Sequence, residues 1–319
     1  MNWKEIRGLR YLRARGIEGA AYLRRVRKGT DRTDAKLRAL AGRALDGRPL
    51  AVVDVGALWG LLPELQPIES FVSAVGFDPD AEECERLNAA AQERGLMQRF
   101  LPYAVTGADE RRTFHLMRKE ATSSLLEPNR AFFDRFPDAE RIDVVDRFEL
   151  DTRAFGPLLA AEGIGAEFLK LDAHGLEAEI LDSLDESQLR ALLAVHVEVL
   201  FATLYRGQCS FADVDVRLRA AGFELYELKR YSFRRRTFDS ARHRTRGQIA
   251  FGDALYLREP DGLSVEQRRR LAVVAALFRH FDVAHELVAD DAELAQAVTA
   301  LAPERGASGP WLSDADDWL

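Results

Sequence analysis

The chain has 319 residues, 47% of them hydrophobic and 30% charged, which is enough apolar material for one large core and argues against a disordered chain. Its formal charge of -7 argues against general nucleic-acid binding, which calls for a broadly basic face. No apolar run reaches the roughly 18 residues of a membrane span, and Met1 to Arg15 lack the apolar block of a secretory signal, so a cytoplasmic protein without integral membrane contact is expected.

Residues 1 to 48 read as a helical segment. Its first thirty residues are arginine-rich, with Ile6, Leu9, Leu12, Leu23 and Val26 near helical spacing, and Gly8, Gly16 and Gly19 limit them to one or two short amphipathic helices. A further helix follows with Thr33 or Asp34 as N-cap and Leu37, Leu40, Ala41 and Ala44 on one face, stopped by Gly47-Arg48-Pro49. Residues 49 to 259 alternate short apolar runs with amphipathic stretches, the signature of βαβ units and a mostly parallel sheet. Strands are predicted at Leu50–Val55, Ser73–Phe77, Gln98–Val105, Phe168–Asp172 and Leu192–Leu200, with helices at Ala81–Arg94, Thr152–Glu162 and Leu176–Leu184. Arg112–Met117 and Ile142–Leu150 read as additional short strands. Glu224–Tyr231 and Gln248–Leu257 read as a closing antiparallel hairpin, which suits a methyltransferase sheet better than a dehydrogenase sheet. Residues 260 to 319 form a helical appendage, with helices at Val265–Phe278, Val283–Ala289 and Ala292–Leu301, and a tail carrying Trp311 and Trp318. Cys84 and Cys209 stand far apart and outside any metal-binding spacing, and read as buried or bystander thiols.

The cofactor signal begins at Val52-Val53-Asp54-Val55-Gly56-Ala57-Leu58-Trp59-Gly60, a buried-strand pattern ending in an acid and two glycines. Gly56 lets the chain turn sharply and approach a ligand, and Gly60 admits close contact further round the turn. Asp78, in Gly76-Phe77-Asp78-Pro79-Asp80 after the second strand, is placed to accept two ribose hydroxyls. A nicotinamide-dependent oxidoreductase would want G-x-G-x-x-G at the first turn, and one glycine of that fingerprint is missing. Phe168-Leu169-Lys170-Leu171-Asp172-Ala173-His174-Gly175 delivers a third set of charged groups to a strand end. Asp54, Asp78, Asp172 and His174 are therefore expected to converge outside the carboxyl ends of the strands.

These segments resemble the FkbM methyltransferase family, with its acid-x-Gly-Ala turn, its Phe-Glu/Asp-Pro after the second strand and its Lys-Ile/Leu-Asp-x-Glu-Gly-x-Glu after the fourth. The resemblance runs from about Leu50 to Leu257 and takes in Ser123-Ser124-Leu125, Val197-Glu198-Val199, Tyr205-Arg206-Gly207-Gln208 and Gly222-Phe223. It implies a Rossmann-like class I methyltransferase sheet and S-adenosylmethionine as cofactor, with Asp54, Gly56, Ala57 and Gly60 around its methionine part and Asp78 on its ribose. It implies O-methylation of a hydroxyl on a sugar, glycan or secondary metabolite. Trp59 replaces a smaller residue of the family turn, and His174 stands where the family generally has Glu.

Methyl transfer needs an aligned acceptor and a group that removes its proton. Histidine suits proton transfer near neutrality, and His174 lies two residues after Asp172, so His174 is the candidate base, with Asp172 beside it and Glu198 as the alternative. His196 has the parity of Glu198 and reads as a core histidine sharing its face. Lys170, Tyr205 and the arginines Arg234, Arg235 and Arg236 are candidate acceptor-binding residues. The arginine loop suits an anionic acceptor if it is more than a solvated hairpin loop. No metal site is expected, because His115, His243, His280 and His285 share no ligand spacing, with Asp172 and Glu177 the one pair left open for magnesium. A non-catalytic interaction protein is the rival from another class, resting on the appendage and on His174. Self-association is left open by the sequence.

Overall fold

The computed structural model describes residues 31–238, 242–243 and 245–303. The basic helices expected at 1–30 and the tail with Trp311 and Trp318 lie outside the described residues. Helix α1 (Asp31–Ala44) already includes Thr33 and Asp34, so neither is its N-cap.

Strand β1 (Leu50–Val55) and strand β2 (Val72–Phe77) flank a 3-10 segment, Pro63–Phe71. Helix α2 (Ala81–Glu93) starts where the Asp80 carboxylate accepts the amides of Glu82 and Glu83. The run read as one strand from Gln98 to Val105 is two, β3 (Gln98–Leu101) and β4 (Ala104–Thr106). Pro102 lies between them without an amide proton to continue the ladder. Strand β5 (Arg111–Met117), helix α3 (Arg130–Phe133) and strand β6 (Val144–Ala154) follow. β6 runs through Thr152, where a helix was expected, because its end pairs with β4 while its body pairs with β5. Helix α4 is accordingly short, Phe155–Ala161.

Next come β7 (Phe168–Leu171), α5 (Glu177–Asp182), α6 (Glu186–Ala191), β8 (Ala194–Leu200) and α7 (Phe211–Ala220). β9 (Phe223–Phe233), β10 (Gln248–Arg258), α8 (Val265–Leu277), α9 (Phe281–Leu287) and α10 (Ala292–Thr299) complete the described chain.

The main sheet has seven strands in the order β3-β2-β1-β7-β8-β10-β9. The β3-β2-β1-β7-β8 pairings are parallel, and β10 is antiparallel to both β8 and β9. The fold is therefore α/β and Rossmann-like, with the late antiparallel strand that marks a class I methyltransferase sheet. Alternation along β1 divides the core: Leu50 and Val52 pack with α1, α8, α9 and α10, while Val53 and Val55 pack with α4, α5 and α7. The C-terminal helices thus form one layer of the sheet's own core. Seven consecutive residues of α8, Leu271 to Leu277, are buried, as in a helix covered on all sides. A second sheet, β4-β6-β5, stands beside the carboxyl ends of the parallel strands. No helix among the described residues is long and apolar enough to cross a membrane.

Candidate functional site

The carboxyl ends of β1, β2 and β7 open on one cavity of about 700 Å³, within the range of small-molecule sites. Asp54, Gly56, Gly60, Asp78, Lys170, Asp172 and His174 all line it, so the convergence expected of the strand-end groups is present. Ala57 does not line it. Its side chain packs with Cys84, Leu87 and Phe100 beneath α2, and its amide donates to the Phe77 carbonyl.

Gly56 has a reason of its own to be glycine. Its φ is +78°, and a Cβ there would come within 2.3 Å of the Asp172 carbonyl oxygen. The crowding comes from the neighbouring strand end of the protein, a constraint that the expectation of a ligand contact did not include. A Cβ at Gly60 would meet only the Leu87 side chain, at an ordinary contact distance of 3.5 Å, and its φ of +96° is what favours glycine.

Asp54 is 1% exposed. Burial pushes its carboxyl up to about 6, against the pull of Lys170, whose Nζ lies 3.1 Å away. Burial works against the Lys170 ammonium too, but Asp54 and Asp172 more than offset it and raise its pKa above the usual lysine value. Lys170 Nζ also donates to the carbonyls of Val55 and Gly56, at 3.0 and 2.9 Å. Two of its three protons are thus spent on the β1 turn, and Asp54 and Asp172, at 3.1 and 3.7 Å, draw the third. Lys170 thus lines the cavity and pairs with carboxylates, the alternative that the sequence left open beside an acceptor contact. Asp78 is held by the Asp80 amide, which donates to Oδ1 at 2.8 Å.

His174 has a positive φ of 52°. Its Nδ1 lies 2.9 Å from the Ser123 carbonyl oxygen. A carbonyl only accepts, so Nδ1 carries the proton and Nε2 presents the lone pair in the neutral ring. Nε2 is 3.4 Å from Asp172 Oδ1. The ring stacks on Tyr205, with centroids 5.8 Å apart, and the Tyr205 hydroxyl donates to the Thr122 carbonyl. Tyr205 is thus a buried support for His174, outside the cavity lining. Glu198 comes up from β8, and ligand atoms of Asp172, His174 and Glu198 lie within 4.8 Å of one another. Burial pushes the Glu198 carboxyl well up, and Asp172, Glu177 and Asp253 add to the shift. Asp172 is lowered, because Lys170, His174 and His196 outweigh its burial. His196 shares the parity of Glu198 and stacks on Phe278, a core position.

Glu177, left open as a partner of Asp172 for magnesium, is 0% exposed and accepts the amides of Ala173 and Gly175. It is a loop brace. Arg234, Arg235 and Arg236 do not reach the cavity. The Arg235 guanidinium lies over the Phe136 ring and donates to the Gln248 side chain, and the Arg236 amide donates to the Arg135 carbonyl.

The lining residues missed in the sequence include the acids Glu82, Glu120 and Asp146 and a set of apolar side chains. Phe114 and Leu116 of β5 and Phe148 and Leu150 of β6 line the cavity together with Trp59, which is 41% exposed. The period-two pattern of Phe148-Glu149-Leu150 was the available signal, but nothing in it says that its apolar face meets a cavity.

No protein-family model matches the sequence, and no curated protein matches it. Solved structures of similar shape include TrmN from Thermus thermophilus, 14% identical, with a TM-score of 0.32 over 70% of this chain and 48% of that one. The chain thus spans about half the length of that protein. Magnesium protoporphyrin IX methyltransferase from Synechocystis PCC 6803, with bound SAM, is 12% identical, with a TM-score of 0.33 over 77% of this chain and 93% of that one. The 1,6-didemethyltoxoflavin-N1-methyltransferase of Burkholderia thailandensis, with bound S-adenosylhomocysteine, is 16% identical, with a TM-score of 0.31 over 78% and 89%. Likenesses this weak carry no weight beside the strand order and the cavity themselves.

Proposed function

We propose that the chain is an S-adenosylmethionine-dependent O-methyltransferase of the FkbM type. The observation that carries this reading is the convergence of Asp54, Gly56, Gly60, Asp78, Asp172 and His174 on one cavity at the carboxyl ends of a sheet with a late antiparallel strand. The residues fit the cofactor. The lining holds Asp54, Asp78, Asp80, Glu82, Glu120, Asp146 and Asp172 against Lys170 alone among lysine and arginine, a field that favours a sulfonium cation. Asp78 would hold the ribose, and the Gly56–Gly60 turn with Asp54 would face the methionine part. Bound there, the cofactor supplies an electrophilic methyl group to an acceptor oxygen.

The chain's own task is to place that oxygen and lower the cost of removing its proton. Among the described residues, Asp172, His174 and Glu198 cluster at the strand ends and suit that task. The same acidic lining disfavours an anionic acceptor, and the wall of Trp59, Phe114, Leu116, Phe148 and Leu150 favours one with an apolar face. Within the range of sugars, glycans and secondary metabolites, a neutral hydroxyl compound bearing a ring or chain fits best. Calorimetry with S-adenosylmethionine, followed by methyl-label transfer across phenols, hydroxylated lipids, nucleotide sugars and free glycans, tests the proposal. Micromolar binding with label in the apolar acceptors is expected, and absence of cofactor binding would sink it.

A further inference from the structure

The groups at the end of β7 and β8 are arranged as ligands without a ligand. His174 Nδ1 is committed to the Ser123 carbonyl, so the lone pair of Nε2 faces Asp172 Oδ1 at 3.4 Å with no proton between them in the neutral ring. Asp172 Oδ1 is itself a buried oxygen without a hydrogen-bond partner. No hydrogen bond or ion pair holds the Glu198 carboxylate among the described residues. Three electron-pair donors therefore point at one another in a partly enclosed place. Glu177 adds a further acidic group nearby, and Lys170 pairs with Asp54 and Asp172.

From this geometry we infer that Asp172, His174 and Glu198 bind one divalent first-row cation. Bonds of about 2.1 Å set adjacent ligands of such an ion about 3.0 Å apart and opposite ones about 4.2 Å apart, so His174 Nε2 and Asp172 Oδ1, at 3.4 Å, already stand near the adjacent spacing, and Glu198, within 4.8 Å of both, closes by about 1 to 2 Å as an adjacent ligand. Two carboxylates and one imidazole are a mixed hard and borderline set that Mn²⁺ accepts. The outer support is the kind that ligating histidines have. The second ring nitrogen donates to a backbone carbonyl, which fixes the tautomer, and Tyr205 stacks on the ring and fixes its plane.

A role for the cation rests on the methyltransferase reading. Asp172 and His174 line the cavity while Glu198 stands behind them, so an acceptor hydroxyl in the cavity would complete the coordination from that side. Its oxygen would keep the electron pair of the O–H bond and bind the cation, and the proton would leave to water. His174 is then a ligand, and the alkoxide is the nucleophile toward the methyl group.

Electron paramagnetic resonance of Mn²⁺ titrated into the full chain, without S-adenosylmethionine, tests the site directly. One bound ion per chain is expected, with affinity falling at least tenfold in both Glu198→Gln and His174→Ala. Glu198→Gln keeps the side-chain shape, and an unchanged melting temperature without cation will certify its fold. Calorimetry of both variants with S-adenosylmethionine should match the parent within about twofold, so a failed metal site and a failed cofactor site give different results. No Mn²⁺ bound at millimolar concentration, or equal binding by parent and both variants, overturns the inference.

Discussion

Lys170 sets the electrostatics of the cavity wall because two carbonyls and two carboxylates surround its ammonium. Lys170→Met would strand the buried Asp54 carboxylate, and removing one partner of a buried pair costs about 3–5 kcal/mol. Asp54 already titrates at about 6 with Lys170 present, and the loss of the cation pushes it higher. The sign follows: a carboxyl raised in the fold binds a proton more readily there than in the unfolded chain, so its charge destabilises increasingly as pH rises. Chemical denaturation should therefore find Lys170→Met more severely destabilised at pH 8 than at pH 5. Equal losses at both values would mean that Asp54 is not the stranded group. Asp78→Ala belongs to the same scale and leaves this network alone. It should weaken S-adenosylmethionine binding by about 1.5–3 kcal/mol in calorimetry, the range for hydrogen bonds to a charged group. The positions of Asp54, Asp78, Asp172 and His174 were legible because each lies at or just after the end of an apolar strand, and strand ends share one edge of a parallel sheet. The partners of Lys170 and the crowding at Gly56 were not. Both depend on carbonyl oxygens of neighbouring strands, which leave no trace in residue identity.

At the scale of elements, the small sheet β4-β6-β5 lines one wall of the cavity, where the proposed acceptor would lie. Phe114 pairs with Phe148 across β5 and β6, with ring centroids 5.2 Å apart, and both rings line the cavity. Burying a phenylalanine against a ligand contributes about 1.5–3 kcal/mol. Phe148→Ala should then raise the acceptor KM by about tenfold to a hundredfold while the affinity for S-adenosylmethionine stays near the parent value. A rise in cofactor Kd of the same size would assign that wall to the nucleotide. The strands themselves were readable from alternation, yet their boundaries were not. β6 extends four residues past the expected end at Leu150 because β4 is there to pair with Thr152, Arg153 and Ala154. Pairing across the chain overrode the local helical pattern of Thr152–Glu162. The charged loop after β9 was legible as a loop, but which side its arginines take depends on the Phe132, Phe133, Phe136 and Phe233 cluster beneath it.

At the scale of the molecule, the main sheet and the C-terminal helices share a core, and a buried ion pair fastens them at the end away from the cavity. Arg270 of α8 is 0% exposed. Its guanidinium donates to both oxygens of Glu167, before β7, and to the carbonyls of Arg48 and Pro49, before β1. Glu167 also accepts the Ala51 amide at 2.9 Å. The sequence shows an arginine in a helix and a glutamate before a strand, 103 residues apart, with nothing to link them. Burial works to raise the Glu167 carboxyl, but the Arg270 hydrogen bonds and the Ala51 amide outweigh it and hold it below the usual carboxylate value. A carboxyl depressed in the fold contributes stability that is present above its unfolded pKa and lost as pH falls through its folded pKa. The parent should accordingly lose stability below about pH 4, the ordinary carboxylate range. Glu167→Ala should cost about 3–5 kcal/mol at pH 7 by leaving the Arg270 charge buried and unpaired, and should flatten this acid dependence. Arg270→Met combined with Glu167→Leu removes both charges and should recover most of the loss. Because α8, α9 and α10 pack against the same residues of β1 and β10 as the rest of that face, each variant should melt in a single transition. A first transition that releases the C-terminal helices while the sheet persists would instead make those helices a separate folding unit.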